Sequence, residues 1–551
     1  MLNSENTLRM ENSSLWQELT IRSTAFFQRS VSGLRLGSQH VVKIAGLGAE
    51  FQPLRFGDAA LAHAMARGKF AFGGMTVTGT TAQIFSLKPP NAHWSSGLHG
   101  LEWLRHFVAS DQELHRIVAR ALVMKWGELS KKRWPVRTQI RALISLSLSA
   151  RFLVGDYPSE FADCFYALIE RHIRQVQSLR PAHPSVRLHQ VLALLYASLA
   201  FSGTNTLRET ASAKFCAIVD QIILPDGGHV SRNPSDLLDC LLDLIPVRDA
   251  MFANHEAVPH AMAAAVERMM PMLRMLSHGD HGLAGFQGCL ATQSNRTKSL
   301  LEHDRVQGRP LALAPHSGYC RLVHGTGVLI MDVGVSRQCN SALALEFSDG
   351  LHRILANCGS PKSGSAAWQI AAADIAAHNT LEVVGFTQRT SASPIVEVAS
   401  SSQGTLVNCQ NTISGNSERI FHAREVFLAD DGRALQGEDR IIRTSMQKSK
   451  VGNLEYVLRF HLHPTVKISS RQKDGRIILA LPNRTSWQFS SLGGHMTVEE
   501  SVSLGGEFGP RRTHQIVIRG NTEMADSVQW ALRRTERPIS GVVEPAAPAT
   551  S

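Results

Sequence analysis

LPDGGHVSRNP, residues 224–234, interrupts two long runs of helical hydrophobic periodicity and belongs to neither. Pro225, Gly227, Gly228 and Pro234 forbid continuous helix there, because proline lacks the amide hydrogen a helix needs and glycine weakens it entropically. His229, Arg232 and Asn233 are therefore displayed on a loop between rigid elements, the setting in which binding and catalytic groups concentrate. The same residues also serve as a plain connection, with Asn233-Pro234 opening the next helix.

Working outward, apolar residues recur at helical spacing over 101–129, 136–154, 159–176, 185–201, 207–223, 235–252 and 259–276. Short breaks marked by Pro, Gly or Asp separate these segments, so neighbours pack antiparallel. From about residue 282 the period changes to short alternating or β-branched runs, at 327–333, 342–347, 380–384, 395–398, 404–408, 438–443, 454–463, 476–481 and 514–518. Clusters such as Asp430-Asp431-Gly432 punctuate them. The pattern predicts an α+β multidomain chain: a helical domain over 56–281, then an antiparallel β-sandwich over 282–540. Residues 1–55 read as a partly flexible N-terminal segment and 541–551 as a disordered tail. No repeat of fixed period appears.

At 551 residues the chain exceeds what one hydrophobic core usually serves. With 43% hydrophobic and 19% charged residues it has an ordinary globular composition. The formal net charge of +11 favours an acidic partner. The basic residues are scattered, and the Lys131-Lys132-Arg133 run is too short for a nucleic-acid arm, so no nucleic-acid partner is expected. Eight cysteines show no C-x-x-C pair, which argues against a zinc ribbon or redox motif and for buried thiols. No stretch of ~18 or more apolar residues occurs, so no transmembrane segment is expected. The N-terminus has early acidic residues and no unbroken apolar core, unlike a cleaved secretory signal.

The ordered set WSSGLHGLEWLRHF (94–107), LPDGGHVSRNP, RMLSHGD (274–280), HRILANCGS (352–360), AAHNTLEV (376–383), LQGEDRI (435–441), RFHLHP (459–464) and HQIVIRG (514–520) resembles the heparinase II/III family of polysaccharide lyases. The resemblance implies an N-terminal incomplete α/α toroid, a C-terminal β-sandwich, and an anionic polysaccharide bound in the groove between them. It further implies β-elimination at uronic acid residues, and a periplasmic or cell-envelope location that the visible N-terminus does not support; a cytoplasmic location stays open. Oligomeric state is not legible.

Elimination requires a group that neutralises the uronate carboxylate, a base for the C5 proton and an acid for the departing O4 oxygen. By the resemblance His378 supplies a catalytic group from the sandwich side, although such a histidine also caps a strand. His229 stands in as the acid on the toroid side, where the similar lyases use a tyrosine. Arg232 and Asn233 bind substrate, with Arg232 suited to bidentate carboxylate recognition; otherwise Arg232 pairs with Asp226 or Asp236 to hold the loop. His189, Tyr319 and His99 are further substrate contacts, each also explained by packing. No cofactor and no metal are expected, with His461 and His463, two residues apart on a strand, as a weak alternative metal pair.

Two departures weigh against catalysis. The similar lyases place a tyrosine soon after a motif like DGGHVSRNP, but Ser235-Asp236-Leu237-Leu238 contains none. The strand matching 336–347 often begins with a histidine, and here Cys339 and Asn340 occupy that stretch. A second expectation therefore stands beside the lyase: a catalytically degenerate anionic-glycan-binding or cell-envelope polysaccharide-assembly protein.

Overall fold

The computed structural model describes residues 8–9, 42–129, 134–155, 160–290, 294–303, 308–335, 337–361, 366–386, 394–414, 419–443, 453–471, 475–505 and 509–535. The 131–133 basic run, most of the N-terminal segment and the 541–551 tail lie outside them.

The N-terminal half is an incomplete α/α toroid. Its helices follow the hydrophobic periodicity closely, including Glu160–Ser178, Pro184–Ala200, Pro234–Ala253 and His260–Met275. Two expected helices are each split. The 101–129 run breaks into Leu104–Ser110 and Glu113–Leu129 at Asp111, whose φ of 46° ends the first helix in the left-handed region. The 136–154 run divides at Ser149 into Val136–Leu148 and Ala150–Val154. The small hairpin Lys69–Phe72 with Met75–Thr78 was not foreseen.

Helix starts have local causes. Pro184 and Pro234 occupy first-turn positions, where their missing N–H costs nothing. Asn233 caps the second of these helices, its side chain accepting from Ser235 N at 2.8 Å.

The C-terminal half is an antiparallel sandwich. Among the described residues one layer is a nine-stranded sheet, ordered Leu8–Arg9, Ile395–Ser401, Gly404–Ser414, Arg419–Ala429, Ala434–Arg443, Ser527–Thr535, Ser486–Leu492, Ile477–Ala480, Lys467–Arg471. The facing layer comprises a five-stranded sheet from Leu313–Ala314 to His352–Leu355 and a four-stranded sheet built on Glu455–His461 and Arg511–Asn521, linked by a Leu355–Leu462 bridge. Phe347 and Phe460 of this layer meet Trp487 and Trp530 of the other, with ring centroids 5.3 Å and 4.9 Å apart. Those four buried rings carry much of the sandwich core.

The apolar interior does not stop at the domain boundary. Tyr319, Val328, Ile330 and Ala344 of the sandwich belong to the same buried cluster as the toroid core. All eight cysteines are free thiols, six of them buried, with Cys164 and Cys216 exposed. Among the described residues no helix is long and apolar enough to cross a membrane.

Candidate functional site at the toroid and sandwich junction

The 224–234 loop lies against the sandwich. Asp226 accepts from the backbone N–H groups of His316 (2.8 Å) and Ser317 (2.7 Å) and from the Ser317 hydroxyl. Arg232, at φ 61° and 5% exposed, donates to the carbonyls of Ser317 (2.6 Å), Gly318 (2.9 Å) and Val335 and pairs with buried Asp332. Burial opposes its charge, and Asp332 more than restores it, leaving the Arg232 pKa raised. The Tyr319 hydroxyl donates to the Arg232 carbonyl, and the Tyr319 ring lies 4.9 Å from the guanidinium carbon. Arg232 and Tyr319 are thus committed to one another and to the domain junction. The partner of Arg232 is Asp332, a residue the sequence did not nominate, in place of Asp226 or Asp236.

Asp332 anchors a second wall. Gln287 donates to Asp332 and to Ser341, both at 2.8 Å, and its carbonyl oxygen accepts from the backbone N–H groups of Arg337 (3.1 Å) and Gln338 (3.0 Å). The 337–338 loop is therefore held in place through Gln287.

Between these walls is a cavity of about 340 Å³, lined by Arg137, His183, Ser185, His189, His229, Val230, Ser231, Asp236, Arg337 and Gln338. Of the residues nominated from sequence it brings together His229 and His189. His378, Arg232, Asn233, Tyr319 and His99 do not line it.

The hydrogen bonds settle what each histidine offers. His229 Nδ1 accepts from Ser231 N at 3.1 Å, with the Ser231 hydroxyl 2.7 Å away, so in the neutral ring the hydrogen sits on Nε2. That nitrogen is buried without a partner. Burial lowers the His229 pKa to about 4, against the opposite pull of Asp236 at 4.0 Å. His183 Nδ1 likewise accepts from Ser185 N at 3.3 Å, which leaves Nε2–H to donate. His189 is the reverse case: Nδ1 donates to the Ser185 carbonyl at 2.8 Å and Nε2 lies 3.8 Å from Asp243. Asp243 in turn pairs with Arg141 and Arg55, a buried network facing away from the solvent.

Arg137 and Arg337 stand exposed at the rim, and among the described residues neither makes an ion pair with a carboxylate. Asp236 is the one carboxylate among the lining residues, with 43% of its side chain exposed. The cavity is consequently rich in donors and positive charge.

The remaining nominated residues are placed elsewhere. His378 is 2% exposed, follows the short turn Ile375–Ala377, and has ring nitrogens without well-formed hydrogen bonds; burial lowers its pKa to about 4. Asn233 is spent as a helix cap. His99 stacks on Trp134 at 4.7 Å. His461 ends its strand, bonded to Ala376 O and Ser501 Oγ, whereas His463 lies beyond the strand and bonds Thr465; among the described residues no group of three His, Cys, Asp or Glu is arranged to hold a metal.

Sequence reading missed Arg137, His183, Arg337 and Gln338. A histidine before Pro184 and an arginine beside a helix start read as capping and surface, and only the folded chain gathers them.

Residues 306–531 match the family model described as Heparinase II/III-like, C-terminal. The chain's fold is similar to a solved heparinase III, with a TM-score of 0.68, 13% identity, and coverage of 90% of this chain and 87% of that one. It is similar too to the heparan sulfate lyase HepC of Pedobacter heparinus, with a TM-score of 0.59, 13% identity, and coverage of 89% and 84%. Along the sequence it is 25% identical to FtsZ-localized protein C of Caulobacter vibrioides, over 96% of this chain and 97% of that protein.

Proposed function

We propose that this protein uses the heparinase fold to bind an anionic ligand without cleaving it, and that it localises with FtsZ, as the name of its relative suggests. The observation that carries the reading is the polarity of the junction cavity. Elimination needs an unprotonated nitrogen or oxygen aimed at a carbon-bound proton. Here His229 and His183 turn their acceptor nitrogens onto the chain's own amides and offer Nε2–H, while the free nitrogen of His189 faces Asp243. No tyrosine is among the lining residues, and Asp236 is the one carboxylate there.

Two measurements test the proposal. Purified protein incubated with heparan sulfate, alginate, hyaluronan and chondroitin yields no unsaturated-uronate absorbance, and it co-sediments with FtsZ polymers. Absorbance that grows with the parent and vanishes in His229→Ala overturns the non-catalytic reading. Failure to sediment with FtsZ overturns the FtsZ reading.

The retained cleft supports a second reading, a lyase acting at uronic acid residues. In it Arg137 and Arg337 neutralise the carboxylate, and His229 serves as acid or base after exchanging its ring hydrogen.

A further inference from the structure

The outward face of the nine-stranded sheet carries a second cavity, of about 460 Å³, which shares no lining residue with the one at the junction. We propose that it is a docking groove for a short extended peptide of a partner protein, one in which lysine or arginine alternates with apolar residues.

Strand alternation builds the groove. In Arg419–Ala429 the side chains of Val426 and Leu428 enter the sandwich core, while Glu425 and Phe427 turn outward and stay half-buried. Register then sets two rows across the sheet. In one, Glu425 stands opposite Glu438, Glu438 opposite Gln529, and Gln529 opposite Leu492. In the other, two residues along each strand, Leu406 faces Phe427, Phe427 faces Gln436, and Gln436 faces Ala531. The groove therefore has an acidic edge and a mainly apolar edge, roughly 7 Å apart.

Charge selects the occupant. Glu425 and Glu438 are the charged residues of the lining, and they sit directly across from one another, an arrangement that costs stability in an antiparallel pair. Arg440 donates to Glu438 at 2.8 Å and is held in its charged form by Glu438 and Glu425 together. Glu425 itself makes no hydrogen bond or ion pair among the described residues. The acidic row continues through Asn408 to Glu397, and Arg533 stands beyond the apolar edge. The acidic edge thus keeps an excess of negative charge in a chain whose net charge is +11. A cationic segment is repelled by the molecule at large and attracted here, which favours this register over others.

Length selects the form of the occupant. The lining comes from five adjacent strands, Gly404–Ser414, Arg419–Ala429, Ala434–Arg443, Ser527–Thr535 and Ser486–Leu492. At about 4.8 Å per strand the groove runs about 19 Å, the span of about six extended residues. Alternate side chains of such a segment fall on opposite sides, one set over the carboxylates and the other over Leu406 and Phe427.

The probe is a labelled six-residue peptide of alternating lysine and leucine, followed by fluorescence anisotropy on the full chain at low ionic strength. It is expected to bind, whereas twins with glutamate or glutamine in place of lysine do not. An isomer with three lysines followed by three leucines should bind at least about tenfold more weakly, and so should the alternating peptide to Glu425→Gln. Glu500→Gln, on the facing layer, serves as the control and should bind as the parent does. Because Glu425 lacks a partner, the unfolding midpoint of Glu425→Gln should stay level or rise. No binding by the parent, equal binding of the glutamine twin or the block isomer, or full binding by Glu425→Gln overturns the assignment. Dimerisation of the parent that Glu425→Gln abolishes would give the groove to a second copy, and displacement of the peptide by cellohexaose would give it to a neutral glycan; either result also overturns it.

Discussion

Arg232 holds a left-handed backbone, φ 61°, and sends its guanidinium to three carbonyls and Asp332, which is fully buried. Removing it leaves that carboxylate in the interior with, among the described residues, Gln287, Ser341 and the Gly334 amide to stabilise it. Breaking one partner of a buried pair costs about 3–5 kcal/mol, so Arg232→Met should lower the unfolding free energy by that order, read from urea denaturation. A loss below about 1 kcal/mol would show that Asp332 does not need the arginine. Buried histidines set the pH response. Burial lowers the pKa of His378 and of His106 to about 4 and that of His461 to about 3. Their unfolded value is near 6.5, so the unfolded chain binds more protons between roughly pH 6.5 and 4. The associated stability is fully present above pH 6.5 and is lost as the pH falls toward 4, at about 1.4 kcal/mol per unit of depression for each group. Urea midpoints should therefore drop between pH 7 and pH 5, and His378→Leu should flatten part of that slope. A midpoint indifferent to pH would contradict the burial of these rings.

The loop 224–234 behaves as one element because its glycines admit backbone where a side chain cannot go. A Cβ on Gly227, at φ 87°, would fall 1.8 Å from the Arg268 carbonyl oxygen, and one on Gly228 would meet Ser317 Oγ at 1.8 Å. Gly227→Ala thus combines an unfavourable dihedral with a backbone clash, and a destabilisation of at least about 1–3 kcal/mol is expected by thermal or urea unfolding. A variant as stable as the parent would mean that the helix bearing Arg268 moves aside easily. This element was the most legible part of the chain, since Pro and Gly punctuation says plainly that the helix stops and the polar residues are presented. The period change near residue 282 was equally plain, because β-strand alternation and helical spacing are properties of neighbours in sequence. What the loop meets was not legible. Asp332 lies 100 positions from Arg232 and Gln287 lies 45 from Asp332, and no local pattern marks such partners. The same distance hid Arg137 and Arg337, whose meeting depends on how two domains dock. The family resemblance supplied His378 as a catalytic partner for His229, but His378 is buried and is not among the residues that line the cavity.

At the scale of the whole molecule the toroid and sandwich share more than a contact surface. Their apolar clusters merge around Tyr319, Val328, Ile330 and Ala344. Polar ties repeat along the seam: Asp226 with Ser317, His278 with Ser348 (2.9 Å) and Glu346 (3.0 Å), Arg353 with Asp280 (3.0 Å), and Arg321 with the carbonyls of Met275 and Ser277. An interface that is both apolar at its centre and hydrogen-bonded along its length couples the two domains energetically, unlike the polar, sliding contacts common between domains. Unfolding one domain would strand Glu346, Arg353 and Asp332 of the other without partners. Calorimetry should consequently record a single unfolding transition for the parent, and Arg232→Met, which cuts the densest tie, should broaden or split it. The junction cavity draws lining residues from both domains, so a ligand seated there is bound only by the docked state. An anionic ligand at 100 times its dissociation constant should then raise the stability of that one transition by about 2.7 kcal/mol. Two well-separated transitions in the parent, with only one of them responding to the ligand, would place the cavity within a single domain and undo the coupling.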